Sequence, residues 1–325
     1  MYEKTLSNWK YIVSVDEDNR SLFDVIPDKK IEKPKTLYKY FPLTDNAVNG
    51  LCHNYLYASH PDQFNDLYDC FHELIDSNRS EKYFHELLSN YFSAEIIRER
   101  CSSNPKAFNV SVALWLRAII YRFYGLVSMT ESNLDVLMWS LYSDNKGFAV
   151  EFDYTVFPFQ FHGPYPMNYS PHFEKIAIQN DLERGLYLLY MSTIKNEVWR
   201  YENEWRLIID APKEQQMFSP KIQKLKELGG HDRKFSYPLK AIESISLGNH
   251  FFEIEELNGR DKQKLEINLK ENIEKKRSVL DFISANEIPS KIITRKSHEL
   301  RFDLDFRDGF FHKTGNNQYK FIAFD

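Results

Sequence analysis

An alternation of charged and apolar residues near the middle of the chain limits its fold more than any other feature. It runs from Glu202 to Ile209 and predicts a β-strand, because successive side chains of a strand point to opposite faces. One face is expected to join a hydrophobic core through Trp205, Leu207 and Ile209. The other face is expected to carry Glu202, Glu204 and Arg206, so that two carboxylates and a guanidinium share one surface.

Two carboxylates fixed on one strand are suited to several kinds of chemistry. They can polarise a hydroxyl group, bind a metal ion or stabilise a cation. The simpler interpretation is a solvent-exposed charged face, on which an ion pair contributes about 0–1 kcal/mol to stability. The residue pattern alone leaves both interpretations open.

Composition favours a packed protein of the reducing cell interior. The chain has 325 residues, of which 42% are hydrophobic and 15% aromatic, enough for a sizeable core. Its net charge of −5 gives no overall signature of nucleic-acid binding, although a local basic groove is compatible with 42 Lys and Arg. The three cysteines form no Cys-x-x-Cys motif, and Arg117 and Arg122 interrupt the longest apolar run. We therefore expect a cytoplasmic protein that does not engage a membrane.

The pattern along the chain predicts a mixed α+β organisation. Residues 1–35 read as an amino-terminal extension, 36–250 as the core and 251–325 as a carboxy-terminal helix-and-strand extension packed on the core. Within the core, residues 71–124 are expected to form a helical insertion, from apolar residues at three- and four-residue spacing. Further helices are predicted at 173–195 and 261–285, and a charged exposed insertion at 212–232.

Four segments together resemble a bacterial family, the domain of unknown function 2971. They are Leu37-Tyr38-Lys39-Tyr40, the stretch Leu56–Asp66 followed by Asp69, the stretches Leu137–Tyr142 and Lys146–Asp153, and Trp199 with Tyr201–Arg206. Members of this family often carry His where Leu141 stands here, and a His before the Lys-Gly pair where Asn145 stands. A mechanism that depends on those histidines is therefore not expected of this chain.

More distantly, the layout is similar to that of ADP-ribosyltransferases, which implies a core of two small antiparallel sheets, a split sheet, holding NAD as a substrate without a metal. In that resemblance Glu204 is the catalytic carboxylate, because it stabilises positive charge on the ribose, and Glu202 directs the acceptor. Tyr38 or Lys39 takes the first-strand position, and Ser59 with Phe64 shapes the nicotinamide pocket. The same resemblance implies a nucleic-acid or protein acceptor and allows an antitoxin or chaperone partner.

Other residues have both a binding and a structural interpretation. Asn65 either anchors a ligand or, with Asp66, closes a loop by bonding its own backbone. Trp139 and Tyr142 lie three apart on a predicted helix, where they either stack on a ligand ring or belong to the core. Arg206 either binds a phosphate or forms a salt bridge with one of the glutamates.

Three functions follow as hypotheses. The first is an ADP-ribosyltransferase effector, such as a toxin or an antiphage protein. The second is a metal-dependent nuclease with oxygen ligands drawn from Asp66, Asp69, Glu151, Asp153, Glu202 and Glu204. The third is a non-catalytic ligand-binding module.

Overall fold

The computed structural model describes residues 1–17, 21–90, 92–210, 233–258, 264–295 and 304–324. The strands are β1 Tyr2–Leu6, β2 Trp9–Val15, β3 Ser21–Ile26, β4 Leu37–Phe41, β5 Tyr55–Tyr57, β6 Tyr124–Thr130, β7 Phe148–Phe152, β8 Phe161–Pro166, β9 Asn168–Ser170, β10 Ile194–Asn196, β11 Glu204–Asp210, β12 Lys234–Ser236, β13 Ile242–Leu247, β14 Leu257–Asn258, β15 Lys264–Asn268, β16 Ser290–Arg295, β17 Leu304–Lys313 and β18 Gln318–Ala323. The α-helices are α1 Asp45–Cys52, α2 Glu81–Ser89, α3 Ala94–Ser103, α4 Pro105–Phe123, α5 Val136–Ser143, α6 Asp181–Thr193 and α7 Ile273–Ala285.

The chain forms two compact units that interleave along the sequence. The first unit comprises Met1–Glu32, Ala58–Ser128 and Phe159–Lys234, and the second comprises Lys33–Tyr57, Met129–Pro158 and Phe235–Asp325. The division of the chain into residues 1–35, 36–250 and 251–325 remains a prediction, and its boundaries differ from those of the two units.

The first unit contains the strand predicted from the central alternation. Strand β11 pairs antiparallel with β8, and β10 pairs parallel with β9. Strands β1, β2 and β3 form an antiparallel meander, against which α6 packs. The rings of Tyr11 and Tyr190, with centroids 5.1 Å apart, join the meander to α6 edge to face. Both side chains are fully buried, so the amino-terminal strands contribute to the core of this unit.

Three helices of the first unit, α3, α4 and α6, begin directly after a residue whose side chain caps the first turn. Asn104 accepts a hydrogen bond from the Ala107 N–H at 3.1 Å and stands directly before Pro105, the first residue of α4. A capping Asn followed by Pro is a strong start signal, because the Pro ring lacks the N–H that a first helical turn leaves unpaired. The region 71–124, which was predicted to be helical, contains α2, α3 and α4, the first of which begins at Glu81.

The second unit is built on a mixed sheet with the strand order β14-β15-β18-β17-β16-β13-β7-β4. Strands β13 and β16 run parallel, whereas the other neighbours in this order run antiparallel. A parallel pair needs a long crossover connection, which here includes α7. The expected α+β class is confirmed, but the expectation of a purely antiparallel sheet is wrong at β13 and β16.

Two predicted helices are shorter than expected. The helix predicted over 261–285 begins at Ile273, and β15 precedes it at Lys264–Asn268, paired with β18. The helix predicted over 173–195 begins at Asp181, where the Asn180 side chain accepts the Glu183 N–H. Helix propensity is a weak predictor, and pairing with a neighbouring strand or a strong capping residue overrides it. The insertion predicted at 212–232 lies outside the described residues.

No α-helix in the described ranges combines the length and the apolar character that crossing a bilayer requires.

Candidate functional site

The two glutamates of the central motif lie on different elements of the first unit. Glu202 is the last residue of a 3₁₀ helix, Glu197–Glu202, and Glu204 is the first residue of β11. Asn203 between them has a φ of 43°, a left-handed conformation that Asn adopts more readily than most residues. The prediction that Glu202, Glu204 and Arg206 alternate along one strand is therefore wrong for Glu202.

Lys195 brings the two carboxylates together. It lies in β10, directly after α6, and its ammonium group donates to Glu202 and, at 2.8 Å, to Glu204 Oε2. The ring of Trp199 lies 5.1 Å from Nζ, within the range of a cation–π contact. Lys195 was not among the predicted site residues, and the one signal in the sequence is a lone lysine at the end of an otherwise apolar helical pattern.

Arg206 joins the same group from β11. Its Nε donates to Glu204 Oε1 at 2.7 Å, and its two terminal nitrogens bind both carboxylate oxygens of Asp69 at 2.7 and 2.5 Å. One of these nitrogens also donates to the Ser192 carbonyl oxygen at 3.1 Å. The Phe64 ring lies 5.0 Å from the guanidinium carbon. Arg206 therefore forms a salt bridge with Glu204, which was one of its two predicted roles, and phosphate binding was the other.

The resulting group, which we call the buried ion cluster, consists of Asp69, Lys195, Glu202, Glu204 and Arg206. No side chain in it exposes more than 4% of its surface. The interpretation of the motif as a solvent-exposed charged face is therefore wrong. With every group ionised, three carboxylates face two cations, which leaves one negative charge in excess.

The cluster shifts the pKa values of Glu204, Lys195 and Arg206 towards their charged forms. Burial alone raises the pKa of the Glu204 carboxyl, but the neighbouring Arg206 and Lys195 cations outweigh burial and hold that pKa well below its usual value. Burial alone lowers the pKa of Lys195, yet Glu204 and Glu202 more than offset it and the pKa is raised. The cluster is thus a set of mutually stabilised ions rather than a set of neutral groups.

The remaining predicted residues of the first unit lie in the loop that reaches the cluster through Phe64 and Asp69. The Ser59 N–H donates to the Leu126 carbonyl at 2.8 Å, which ties the start of the loop to β6. Asn65 is exposed, and Asp66 is buried. Asp66 Oδ1 accepts the Tyr68 N–H at 2.9 Å, the loop-closing bond that was the alternative interpretation, while its Oδ2 has no hydrogen-bond partner in the described part of the chain.

The second unit holds the other four predicted residues. Trp139 is fully buried, donates from its indole nitrogen to the Asn133 carbonyl at 2.6 Å, and meets the Tyr40 ring edge to face. This is a core position, the alternative to ligand stacking. Tyr142, Lys39 and Tyr38 are half-buried.

Tyr38 takes part in a polar group on the sheet of the second unit. Burial, with the nearby Glu151 carboxylate adding to it, raises the pKa of the Tyr38 hydroxyl. Glu151 accepts from Ser244 Oγ at 2.5 Å and from Lys291 Nζ at 3.2 Å. Burial opposes ionisation of Glu151, but these partners and the Thr36 hydroxyl lower its pKa. Tyr38 therefore lies near a carboxylate of the protein itself.

The carboxylates considered for a metal-dependent nuclease do not converge. Across the described residues, no three of Asp66, Asp69, Glu151, Asp153, Glu202 and Glu204 bring ligand oxygens close enough to share an ion. Each of the two glutamates in the buried ion cluster has an oxygen that accepts from the Lys195 ammonium group instead.

Comparison with known proteins supports the family resemblance over part of the chain. Residues 138–207 match the family described as "Protein of unknown function (DUF2971)". The matched stretch includes α5 from Met138 onward, all of β7 and four of the five residues of the buried ion cluster. No curated protein and no solved structure matches the chain.

Proposed function

We propose that this chain, whose residues 138–207 belong to the DUF2971 family, is an ADP-ribosyltransferase-like effector that uses NAD as its substrate. The observation that supports the proposal is the pair of buried carboxylates, Glu202 and Glu204, which hold the Lys195 ammonium group between them. Cleavage of the bond between nicotinamide and ribose develops positive charge on the sugar. Fixed carboxylates with little access to water stabilise such a charge strongly.

In the proposed reaction the glycosidic bond to nicotinamide breaks and nicotinamide leaves as a neutral base. The acceptor nucleophile, on nucleic acid or protein, then bonds to the sugar carbon and loses a proton. Glu204 stabilises the cationic sugar, and Glu202 orients the acceptor. Both oxygens of Glu204 accept hydrogen bonds from Arg206 or Lys195. The substrate therefore has to displace the Lys195 ammonium group, which occupies the position of the developing charge.

The test is transfer of label from radiolabelled NAD to a cell extract, with and without a chelator. We expect transfer that survives chelation, is lost in Glu204→Gln and is unchanged in Glu3→Gln, a control glutamate that pairs with Lys10 on the surface of the same unit. Circular dichroism establishes that both variants are folded. Transfer that persists in a folded Glu204→Gln variant refutes the role of Glu204, and absence of transfer by the unaltered protein refutes the proposal.

A modified acceptor would make the chain a toxin or an antiphage protein, and a neutralising antitoxin or chaperone is the corresponding partner. Co-purification from cells that express the chain with its neighbouring genes tests for that partner. A partner of this kind suppresses label transfer when it is added back.

A second candidate function, ligand binding without turnover, rests on a cavity in the helical part of the first unit. The cavity has a volume of about 990 Å³ and lies between α3 and α4, with the end of α2 closing one side. Its apolar lining includes Leu88, Phe92, Ile97, Phe108, Val112 and Trp115. Such a size and lining are typical of small-molecule sites. Arg100 on the rim has no ion-pair partner among the described residues, so we assign the cavity to a single-chain amphiphile with an anionic head.

A fluorescent fatty acid is the probe for this second candidate. Ala107 lines the cavity and is exposed, whereas Val110, three residues along α4, is exposed outside it. We expect Ala107→Trp to abolish probe binding and Val110→Trp to leave it unchanged. Arg100→Gln is expected to weaken binding and Glu99→Gln, its rim neighbour of opposite charge, to preserve it. Equal effects of the two members of either pair exclude this site.

A further inference from the structure

Three side chains of different chemistry converge where α2 faces α3 in the first unit. Glu81 begins α2, His85 follows one helical turn later, and Cys101 lies near the end of α3. The distance from His85 Nε2 to Glu81 Oε1 is 3.8 Å, and the distance from Cys101 Sγ to the same oxygen is 3.9 Å. The three atoms lie within 4.8 Å of one another, the one such group of three in the described part of the chain.

These separations are close to those of a tetrahedral zinc site. Bonds from Zn²⁺ of about 2.3 Å to sulfur and about 2.0–2.2 Å to nitrogen or oxygen place the ligand atoms about 3.4–3.6 Å apart. The two separations that involve Glu81 exceed that range by a few tenths of an ångström, and the third, between His85 and Cys101, is within 4.8 Å. Changes in side-chain torsions are needed to bring the three groups onto one ion, and all three side chains reach solvent, where such changes are open to them.

The helices fix the relative positions of the three groups. Glu81 and His85 are four residues apart, so they lie on the same face of α2. The imidazole of His85 also lies against the Phe108 ring of α4, with centroids 5.8 Å apart, which limits its rotation. Cys101 reaches the pair from α3, whose first turn is capped by the Ser93 side chain. Helix α2 therefore fixes the positions of two of the three ligands, and the third ligand comes from the neighbouring helix α3.

We propose that Glu81, His85 and Cys101 bind Zn²⁺ and that the ion joins α2 to α3, with a water molecule at the fourth position. A set of one thiolate, one imidazole and one carboxylate favours Zn²⁺ over Mg²⁺ or Ca²⁺, which prefer oxygen ligands alone. Binding takes the proton from the Cys101 thiol and releases it to solvent. The three residues lie outside the stretch that matches the DUF2971 family, and the proposal does not depend on transferase activity.

Cobalt is the spectroscopic probe for this site. The full-length protein, stripped with EDTA and kept reduced, is titrated with Co²⁺ and then with Zn²⁺. We expect a thiolate-to-cobalt charge-transfer band that saturates at one equivalent and is removed by Zn²⁺. We also expect Zn²⁺ to raise the thermal unfolding temperature, because an ion bound to the folded state alone stabilises it.

Matched variants assign the ligands. Cys101→Ser is expected to lose the band, His85→Asn to weaken Co²⁺ binding by roughly tenfold or more, and Cys52→Ser, which alters a cysteine of the second unit, to leave the titration unchanged. All of these positions reach solvent, so the variants retain the fold, which circular dichroism checks. Absence of the band in the unaltered protein, or a band that persists in Cys101→Ser, overturns the proposal.

Discussion

Lys195→Met removes the ammonium group that holds the two glutamates of the buried ion cluster together. Methionine keeps the length of the side chain but removes the buried cation that Glu202 and Glu204 share, so the Arg206 guanidinium still binds Glu204 while both glutamates lose the ammonium group. Removal of one partner from a buried ion pair typically costs about 3–5 kcal/mol. Uptake of a proton by one of the two carboxyls sets an upper limit on this cost. A carboxyl with an ordinary pKa near 4.3 lies about 2.7 units below pH 7, so its protonation at pH 7 costs about 3.7 kcal/mol. We therefore expect a loss of about 3–4 kcal/mol in the free energy of unfolding at pH 7.

The same reasoning predicts that acid rescues the variant. At pH 5 the cost of protonating one carboxyl falls to about 1 kcal/mol, so about 2–3 kcal/mol is regained. In the variant the folded state binds a proton that the unfolded state lacks, so its stability rises as the pH falls from 7 to 5. In the unaltered protein the pKa of Glu204 is lowered, so the stability it contributes is complete above the ordinary carboxyl pKa and is lost only below it. Glu204 therefore adds no change between pH 7 and pH 5 there.

Urea unfolding at pH 7 and pH 5, followed by tryptophan fluorescence and circular dichroism, measures both effects. The control is Lys10→Met, which breaks a pair with Glu3 at 2.9 Å whose side chains are 42% and 51% exposed. That variant is expected to lose about 0–1 kcal/mol and to gain nothing at pH 5. A loss below about 1 kcal/mol in Lys195→Met at pH 7, or a loss of equal size at both pH values, refutes the reasoning.

Three further predictions concern other parts of the molecule. Gly147→Ala is expected to cost about 1–3 kcal/mol in urea unfolding, because an added Cβ would lie 1.9 Å from the Phe41 carbonyl oxygen. An unchanged midpoint contradicts that contact. The Cys70 thiol, whose pKa burial raises well above its usual value, is expected to react with a thiol reagent only in denaturant. Labelling of Cys70 in the folded protein contradicts its burial. Glu256→Gln is expected to cost about 3–5 kcal/mol, because the buried carboxylate binds Lys276 Nζ at 2.7 Å, and a loss under about 1 kcal/mol argues against that pair.

The sequence predicted best those features that depend on neighbours in the chain. Thr44 caps α1 by accepting the Ala47 N–H, and a Thr directly before a helix is a start signal that a single sequence shows. Phe148, Val150 and Phe152 occupy alternate positions of β7 and are buried, which is the pattern that a strand with one face in the core gives. Capping and strand alternation are local effects, so a single sequence contains the information for them.

Features that depend on distant partners were not predictable in the same way. Alternation correctly indicated β11, but it does not specify what covers the polar face of a strand. Here that face is covered by Lys195 and by Asp69, which is 137 positions from Arg206 in the sequence. The period of the pattern also gave no sign that the strand begins only at Glu204, after the left-handed residue Asn203, and so leaves out Glu202. The residues 264–268 became a strand because β18 pairs with them, although their composition is typical of a solvent-exposed helix.

The way the five charges are distributed along the chain bears on which fragments can exist alone. Lys195, Glu202, Glu204 and Arg206 lie within the stretch that matches the DUF2971 family, but Asp69 lies outside it. A fragment confined to 138–207 would carry Arg206 without the carboxylate that binds it at two points, and it would also lack the meander against which α6 packs. If residues 138–207 were excised or grafted onto another scaffold, both the Asp69 carboxylate and the meander would have to be replaced. A fragment that contains every ionic partner of the buried ion cluster therefore has to begin well before residue 138, at or before the loop that supplies Asp69.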